Sequence, residues 1–198
     1  MRTFETRLLP SCILLTIFAV GMLGVLPIAH AAPVPYSTFL LGVTESPPNA
    51  SPAVGDAEVD IDAVAHLMHV HVDFSGLLAP NTASHIHATT AAPGVGTAGV
   101  ATTTPTFTGF PGGTTSGTYD HIFDTSLTSS FNASFVTANG GTAAGAEAAL
   151  FAAIAAGKAY VNVHSSVFPG GEIRGFLAPG TATPTSKSTW GRIKTLYR

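Results

Sequence analysis

The stretch Tyr160-Val161-Asn162-Val163-His164-Ser165-Ser166-Val167-Phe168-Pro169-Gly170-Gly171-Glu172-Ile173-Arg174-Gly175 decides the fold of this chain. Apolar runs stand on both sides of a Pro-Gly-Gly turn signal, a pattern typical of a β-hairpin. It predicts a buried strand over residues 159–163 and an antiparallel closing strand over residues 172–177. Immediately upstream, the strong helix formers of residues 146–156, followed by Gly157, predict one short helix before this hairpin.

Working outward, alternation of apolar and polar residues predicts further strands at residues 36–41, 57–62, 67–74 and 84–87. The long stretches 88–118 and 132–145 are predicted to be loops, with short strands near Phe107 and Tyr119. Many short strands between turn signals are typical of an all-β sandwich or barrel. The fold class is therefore predicted to be mainly β and antiparallel.

Both ends of the chain differ from its middle. Residues 1–31 combine Arg2 and Arg7, a long apolar run and the small-residue pattern Ala29-His30-Ala31, which predicts a signal peptide cleaved after Ala31. A retained membrane anchor is the alternative, because the apolar run is nearly long enough to span a bilayer. We therefore expect a secreted, periplasmic or extracellular protein with no membrane contact after cleavage. Residues 32–179 form the predicted domain, and residues 180–198 a Pro/Thr/Ser linker with a basic tail.

Cysteine and charge usage restrict the chemistry of the predicted domain. Cys12 is the single cysteine and lies in the predicted signal peptide, so we expect no disulfide and no thiolate ligand in the mature chain. Between residues 32 and 178 ten acidic side chains face two basic ones, a formal charge of −8. Such a domain repels phosphate, so nucleic acid is not an expected partner.

The hairpin resembles the signature of the CHRD (chordin) domain family. Its distinctive positions are Tyr160, Asn162, His164, Pro169, Gly170, Gly171, Glu172, Arg174 and Gly175. Three earlier pieces are similar to the family in the right order: Gly42-Val43-Thr44-Glu45-Ser46-Pro47-Pro48, Phe74-Ser75-Gly76-Leu77 and Ala83-Ser84-His85-Ile86-His87. The likeness covers residues 36–179, although the Gly-Pro that usually follows the paired histidines is replaced by Ala88-Thr89-Thr90.

The resemblance implies a single immunoglobulin-like or superoxide-dismutase-like antiparallel β-sandwich in an extracellular setting, and no particular chemistry. No nucleophile elbow, phosphate loop or zinc-protease helix is visible in the sequence. We therefore expect a non-enzymatic binding or structural module, with an extracellular protein or surface polymer as partner and no cofactor. An ion pair between Glu172 and Arg174, or between Arg174 and an acid on a neighbouring strand, is expected to be structural.

Histidines offer the alternative of a copper or zinc site. His85 and His87, at i and i+2 of a strand, point to one side with Cα atoms about 7 Å apart, and the sandwich could bring His164 near them. The competing interpretation is that these side chains brace backbone groups through hydrogen bonds. His69, His71 and Asp73 form a second candidate metal set, against the alternative of an exposed polar strand face. Dismutase activity is disfavoured, because that chemistry needs more ligands.

Overall fold

Eight strands and two helices make up residues 32–180, the part of the chain that the computed structural model describes. The strands are β1 (Val34–Leu41), β2 (Val54–Asp62), β3 (Leu67–Ser75), β4 (Asn81–His87), β5 (Gly117–Asp124), β6 (Tyr160–Ser165), β7 (Ile173–Phe176) and β8 (Ala178–Pro179). The helices are α1 (Ala133–Ala138) and α2 (Ala143–Ala155). The predicted signal peptide and basic tail lie outside these residues.

All eight strands join in one antiparallel sheet with the order β4-β6-β7-β1-β2-β3-β5, and β8 pairs with β1 beside β7. The sheet curls into a half-barrel whose inner side holds the core. This confirms the prediction of a mainly β, antiparallel, sandwich-like domain. The predicted hairpin is also confirmed, because β6 and β7 pair directly with Asn162 opposite Arg174.

The core follows from the alternation that the sequence displays. On β3, Met68, Val70, Val72 and Phe74 are buried against the core while the residues between them turn outward. Helix α2 covers the inner side of the sheet with Leu150 and Ile154, both fully buried. Burial of these apolar faces is the main stabilising contribution to the fold.

The helical region differs from the prediction in two respects. Helix α2 begins at Ala143, three residues before the predicted start, because the side chain of Thr142 caps it by accepting a hydrogen bond from the Gly145 N–H at 3.1 Å. Helix α1 occupies a stretch predicted to be a loop and is capped in the same way by Asn132. Within residues 32–180, neither helix is long and apolar enough to cross a membrane.

Two of the predicted strands also differ from the structure. The closing strand is shorter than predicted, and Glu172 lies just before it. Phe107 lies in a bend rather than in a strand, yet its side chain is fully buried between the rings of Tyr119 and Phe110. The long loop of residues 88–116 therefore contributes to the core and crosses the sheet at its β4 edge.

Candidate metal centre

Neighbouring strands β4 and β6 bring three histidines together on the sheet face opposite the core. His85 lies opposite Asn162, and His164 lies opposite Ala83, so the three side chains share one face with His87. Their ring centroids are 5.3 Å apart for His85–His164, 5.7 Å for His85–His87 and 6.2 Å for His87–His164. The structure thus brings together all three residues of the first predicted set.

Each of the three rings donates one N–H to a backbone carbonyl. His85 Nε2 donates to Pro105 O at 2.7 Å, His87 Nδ1 to Ala98 O at 2.9 Å, and His164 Nδ1 to Pro169 O at 2.9 Å. A carbonyl can only accept, so each contact fixes the tautomer of its ring. The predicted bracing role is therefore real, but it uses only one nitrogen of each histidine.

The second nitrogen of each ring carries a lone pair directed into the protein. His85 Nδ1, His87 Nε2 and His164 Nε2 are buried and accept no hydrogen bond of normal geometry, although the side chain of Asn162 lies close enough to His87 to act on its pKa in the raising direction. One ligand nitrogen from each ring lies within 4.8 Å of the other two. Buried polar atoms are normally hydrogen-bonded, so three unpartnered lone pairs in one place require an explanation.

Burial keeps all three imidazoles uncharged. Loss of hydration, together with the neighbouring rings of His164 and His87, lowers the pKa of His85 to about 4, although the hydrogen bond to Pro105 O acts in the opposite direction. Burial also lowers the pKa of His87 and of His164. A neutral imidazole is the form that binds a metal ion, so the cluster is in its ligand state at neutral pH.

The donor set fits a copper or zinc ion. Imidazole nitrogens suit both metals, at about 2.0–2.1 Å for zinc. The backbone carbonyl behind each ring is the kind of outer contact that orients a metal-ligating histidine. The ligand nitrogens lie within 4.8 Å of one another and would have to approach to about 3.5 Å to share one ion at these bond lengths.

A cation–aromatic stack borders the cluster. The ring of Tyr160 lies parallel to His87 with centroids 4.7 Å apart, and the guanidinium carbon of Arg174 lies 4.8 Å from the Tyr160 ring centre. Arg174 is only 5% exposed and donates to Gly96 O at 3.1 Å and to Thr44 O. Its side chain is therefore held rigidly beside the histidines.

Glu45 is the partner of Arg174, with Oε2 3.7 Å from the arginine Nε. Burial raises the pKa of Glu45 to about 7, although the positive charge of Arg174 acts in the opposite direction. Of the two arrangements that the sequence left open, Arg174 thus meets an acid next to a neighbouring strand. Glu172 instead accepts hydrogen bonds from Ser51 Oγ at 2.6 Å and from the Leu78 N–H at 2.7 Å.

Sequence reasoning missed Glu45 and the stack. Glu45 follows strand β1 and lies 129 positions before Arg174, so only the pairing of β1 with β7 brings them close. Tyr160 and Asn162 were recognised as signature positions without a role at the site. Strand alternation was the available signal, because both share a face of β6 with His164.

The second predicted set forms a ladder of histidines and carboxylates across β2, β3 and β5. His69 lies between Asp60, at 3.5 Å, and Asp120, at 3.2 Å. His71 lies between Asp120 and Asp73, each at 3.3 Å. Both nitrogens of each ring thus face carboxylates of the ladder, and His69 is buried rather than exposed as the polar-face alternative expected.

Neighbouring charges and hydrogen bonds shift the pKa values of side chains in this ladder. Burial lowers the pKa of His69, but Asp60 and Asp120 outweigh that effect and raise it overall. The hydrogen bond from Thr118 lowers the pKa of Asp73, and His71 acts in the same direction. The ladder is a stabilising feature of the outer sheet face.

Comparison with known proteins gives one match. A family model described as the CHRD domain matches residues 36–177, which include strands β2 to β7, most of β1 and all three histidines of the cluster. No curated protein and no solved structure matches the chain.

Proposed function

This chain belongs to the CHRD domain family, and on that premise we propose that it is an exported, non-enzymatic β-domain that binds one copper or zinc ion through His85, His87 and His164. The observation that carries the proposal is the set of three buried, unprotonated and unpartnered imidazole nitrogens that face one another. A metal ion would satisfy all three lone pairs at once.

If the three histidines had only a structural role, the free-energy cost of burying their unpartnered nitrogens would have no explanation. Each buried polar atom without a partner costs about 1–3 kcal/mol, so three such atoms would be a substantial burden on a domain of this size. Metal ligation accounts for both nitrogens of every ring.

The non-enzymatic role is supported by how deeply the ligand atoms lie. His85 and His87 are buried beneath the loop of residues 88–116, and their free nitrogens face protein rather than solvent. Such a site favours holding an ion over presenting it to a substrate. Export is supported by the predicted signal peptide, and an acidic domain surface would suit a cationic extracellular protein or surface polymer as partner.

The proposal is tested by metal titration of chelator-treated protein. Isothermal titration with Zn²⁺ and with Cu²⁺, followed by elemental analysis after desalting, should give one ion per chain. Replacing His85, His87 or His164 singly with glutamine should weaken binding by at least about tenfold each, since each change removes a ligand. Wild-type protein that stays metal-free after both titrations would refute the site.

His71→Gln is the matched control, because it changes a histidine of the second candidate set on β3, away from the cluster in the sheet. We expect its metal stoichiometry to equal that of the wild type. Loss of the ion in this variant, with retention in His85→Gln, would transfer the site to the ladder. Copper-loaded protein should consume superoxide no faster than the apoprotein. Superoxide consumption that is present in the wild type and disappears in His164→Gln would contradict the non-enzymatic role.

A further inference from the structure

We propose that the three-histidine site holds copper as Cu(I) in preference to a divalent ion, and that the buried guanidinium of Arg174 is the residue that sets this preference. The inference rests on the proposed function and adds the identity and oxidation state of the ion. It follows from the charges around the cluster and from the number of donors that the fold supplies.

The ligand set supplies no negative charge. All three histidines bind as neutral imidazoles, and the nearest further donor on the same strand face is the neutral amide of Asn162, whose buried Oδ1 has no hydrogen-bond partner. A metal ion here keeps its full charge in a place shielded from water. The cost of burying an uncompensated charge rises steeply with the size of that charge, so a monovalent ion is favoured.

Arg174 adds a fixed positive charge beside the site. Its guanidinium stacks on Tyr160, and Tyr160 in turn stacks on His87. Arginine stays protonated in any protein environment, so this charge does not disappear when a metal enters. Coulomb repulsion is proportional to the charge of the ion, so at the same place it is twice as large for Cu(II) or Zn(II) as for Cu(I).

Glu45 is the only carboxylate that the structure places against Arg174 among residues 32–180. Its ion pair to Arg174 offsets part of the repulsion, and its other oxygen, Oε1, has no hydrogen-bond partner. Glu45 and Arg174 therefore have opposite effects on a divalent ion. Removing one charge or the other should change metal preference in opposite directions.

Coordination number points the same way. Zinc in proteins is almost always four-coordinate, whereas Cu(I) is chemically stable with three nitrogen ligands. The fold supplies three imidazole nitrogens that are buried from solvent, which limits the access of water as a fourth ligand. A three-coordinate ion is thus the better match to the cluster.

The test compares affinities for Cu(I), Cu(II) and Zn(II) in wild-type protein and in three variants. Cu(I) is titrated without oxygen against a chromophoric Cu(I) chelator, and the divalent ions against a chromophoric divalent chelator. Arg174→Gln removes the charge and keeps hydrogen-bonding capacity, Arg174→Lys keeps the charge, and Glu45→Gln removes the opposing charge. Circular dichroism and urea unfolding check that each variant is folded.

We expect wild-type protein to bind Cu(I) more tightly than Cu(II) and Zn(II). Arg174→Gln should reduce the Cu(I)-over-divalent affinity ratio by about tenfold or more, Arg174→Lys should stay within about threefold of wild type, and Glu45→Gln should increase the ratio. If Arg174→Gln does not fold, the opposite shift in Glu45→Gln still decides.

Two results would overturn the preference while leaving the metal site intact: tighter binding of Zn(II) or Cu(II) than of Cu(I) by the wild type, or equal ratios in the wild type, Arg174→Gln and Glu45→Gln. Failure of the wild type to bind any of the three ions would instead refute the proposed function itself.

Discussion

At the scale of single residues, the closing hairpin is constrained where β7 passes β1. A Cβ atom at Gly175 would overlap the carbonyl oxygen of Phe39 and the side chain of Thr38 on β1. We therefore expect Gly175→Ala to lower the free energy of unfolding by about 2–3 kcal/mol, because backbone atoms cannot move aside cheaply. Urea denaturation followed by circular dichroism measures this change.

Gly170 supplies the control for that experiment, since a Cβ there meets nothing within 4 Å and its backbone lies outside the left-handed region. Gly170→Ala should change stability by less than about 0.5 kcal/mol. Equal effects of the two alanine variants would contradict the close-approach explanation for Gly175.

Glu172 connects two loops to the hairpin from a fully buried position. Its carboxylate accepts from Ser51 and from the Leu78 N–H, which belong to the connections after β1 and after β3. Glu172→Ala should cost about 2–4 kcal/mol, because both buried donors lose their acceptor. Thermal unfolding measures the loss, and Glu58→Ala, on the outward face of β2, should change stability far less. A Glu172→Ala protein as stable as wild type would show that water replaces the carboxylate.

The residue scale also marks the limit of sequence reasoning at the site. The i, i+2 spacing of His85 and His87 on a strand was enough to place both rings on one face, whereas His164 comes next to them only through the pairing of β4 with β6. The position of Glu45 beside Arg174 could not be predicted. The two residues are 129 positions apart, and they meet only because of the strand order, which local sequence pattern does not determine. Which ring nitrogen of His85 and His87 stays free depends on the carbonyls of Pro105 and Ala98. Both carbonyls lie in a loop whose sequence shows no periodic apolar pattern.

At the scale of elements, alternation and capping predicted most of the structure. Strand β3 was predictable within one residue, since its apolar side chains alternate strictly with His69, His71 and Asp73. Gly157 ends α2 with φ +66°, in the left-handed conformation that glycine tolerates best. The sequence predicts a loop at helix α1 because the helix has only six residues and because Thr137 and the following Asn139 are weak helix formers. Tertiary packing of Phe135 and Val136 stabilises this short helix.

The start of α2 gives a prediction at this scale. Thr142 accepts the Gly145 N–H, one of the donors that the first turn would otherwise leave unpaired. Thr142→Ala should destabilise the domain by about 1 kcal/mol, whereas Thr142→Ser, which keeps the hydroxyl, should stay within a few tenths, about 0.3 kcal/mol. Chemical denaturation of both variants measures the difference, and equal stabilities would exclude a capping role.

At the scale of the whole molecule, the order β4-β6-β7-β1-β2-β3-β5 is what creates the candidate site. Strands β4 and β6 are separated by 72 residues of chain and become neighbours only when the sheet forms. Local pattern predicts strands but does not select their order, so the likeness of the hairpin to a known family carried the fold prediction beyond strand count. The same order places the acidic ladder on β2, β3 and β5, away from the histidine cluster.

Folding and protonation are coupled through the cluster. The ordinary histidine pKa of 6.5 applies to the unfolded chain, whereas burial lowers the pKa of His85 to about 4 and also lowers those of His87 and His164. Between these values the unfolded state binds more protons than the folded state, so stability rises with pH. His69 and Glu45 act in the opposite direction, because the pKa of His69 is raised, the pKa of Glu45 is raised to about 7, and their contributions are lost as pH rises through those values.

In metal-free protein the titration of His85 should lower the stability by about 3 kcal/mol as pH falls from about 6.5 toward 4, while Glu45 acts in the opposite direction, so the effect is read as the difference between the wild type and His85→Gln. Urea unfolding of chelator-treated protein at intervals between pH 4 and pH 8 measures the profile. His85→Gln should lack the His85 contribution, because glutamine does not titrate, while His87 and His164 keep theirs. Excess metal ion at pH 7 should raise the free energy of unfolding of the wild type by about 2.7 kcal/mol at a free ion concentration of 100 times the dissociation constant. It should not change the free energy of unfolding of His85→Gln if that variant no longer binds the ion. Profiles of the wild type and His85→Gln that run parallel between pH 6.5 and 4 would mean that His85 is protonated as readily in the folded state as in the unfolded chain, which is incompatible with its serving as a neutral ligand.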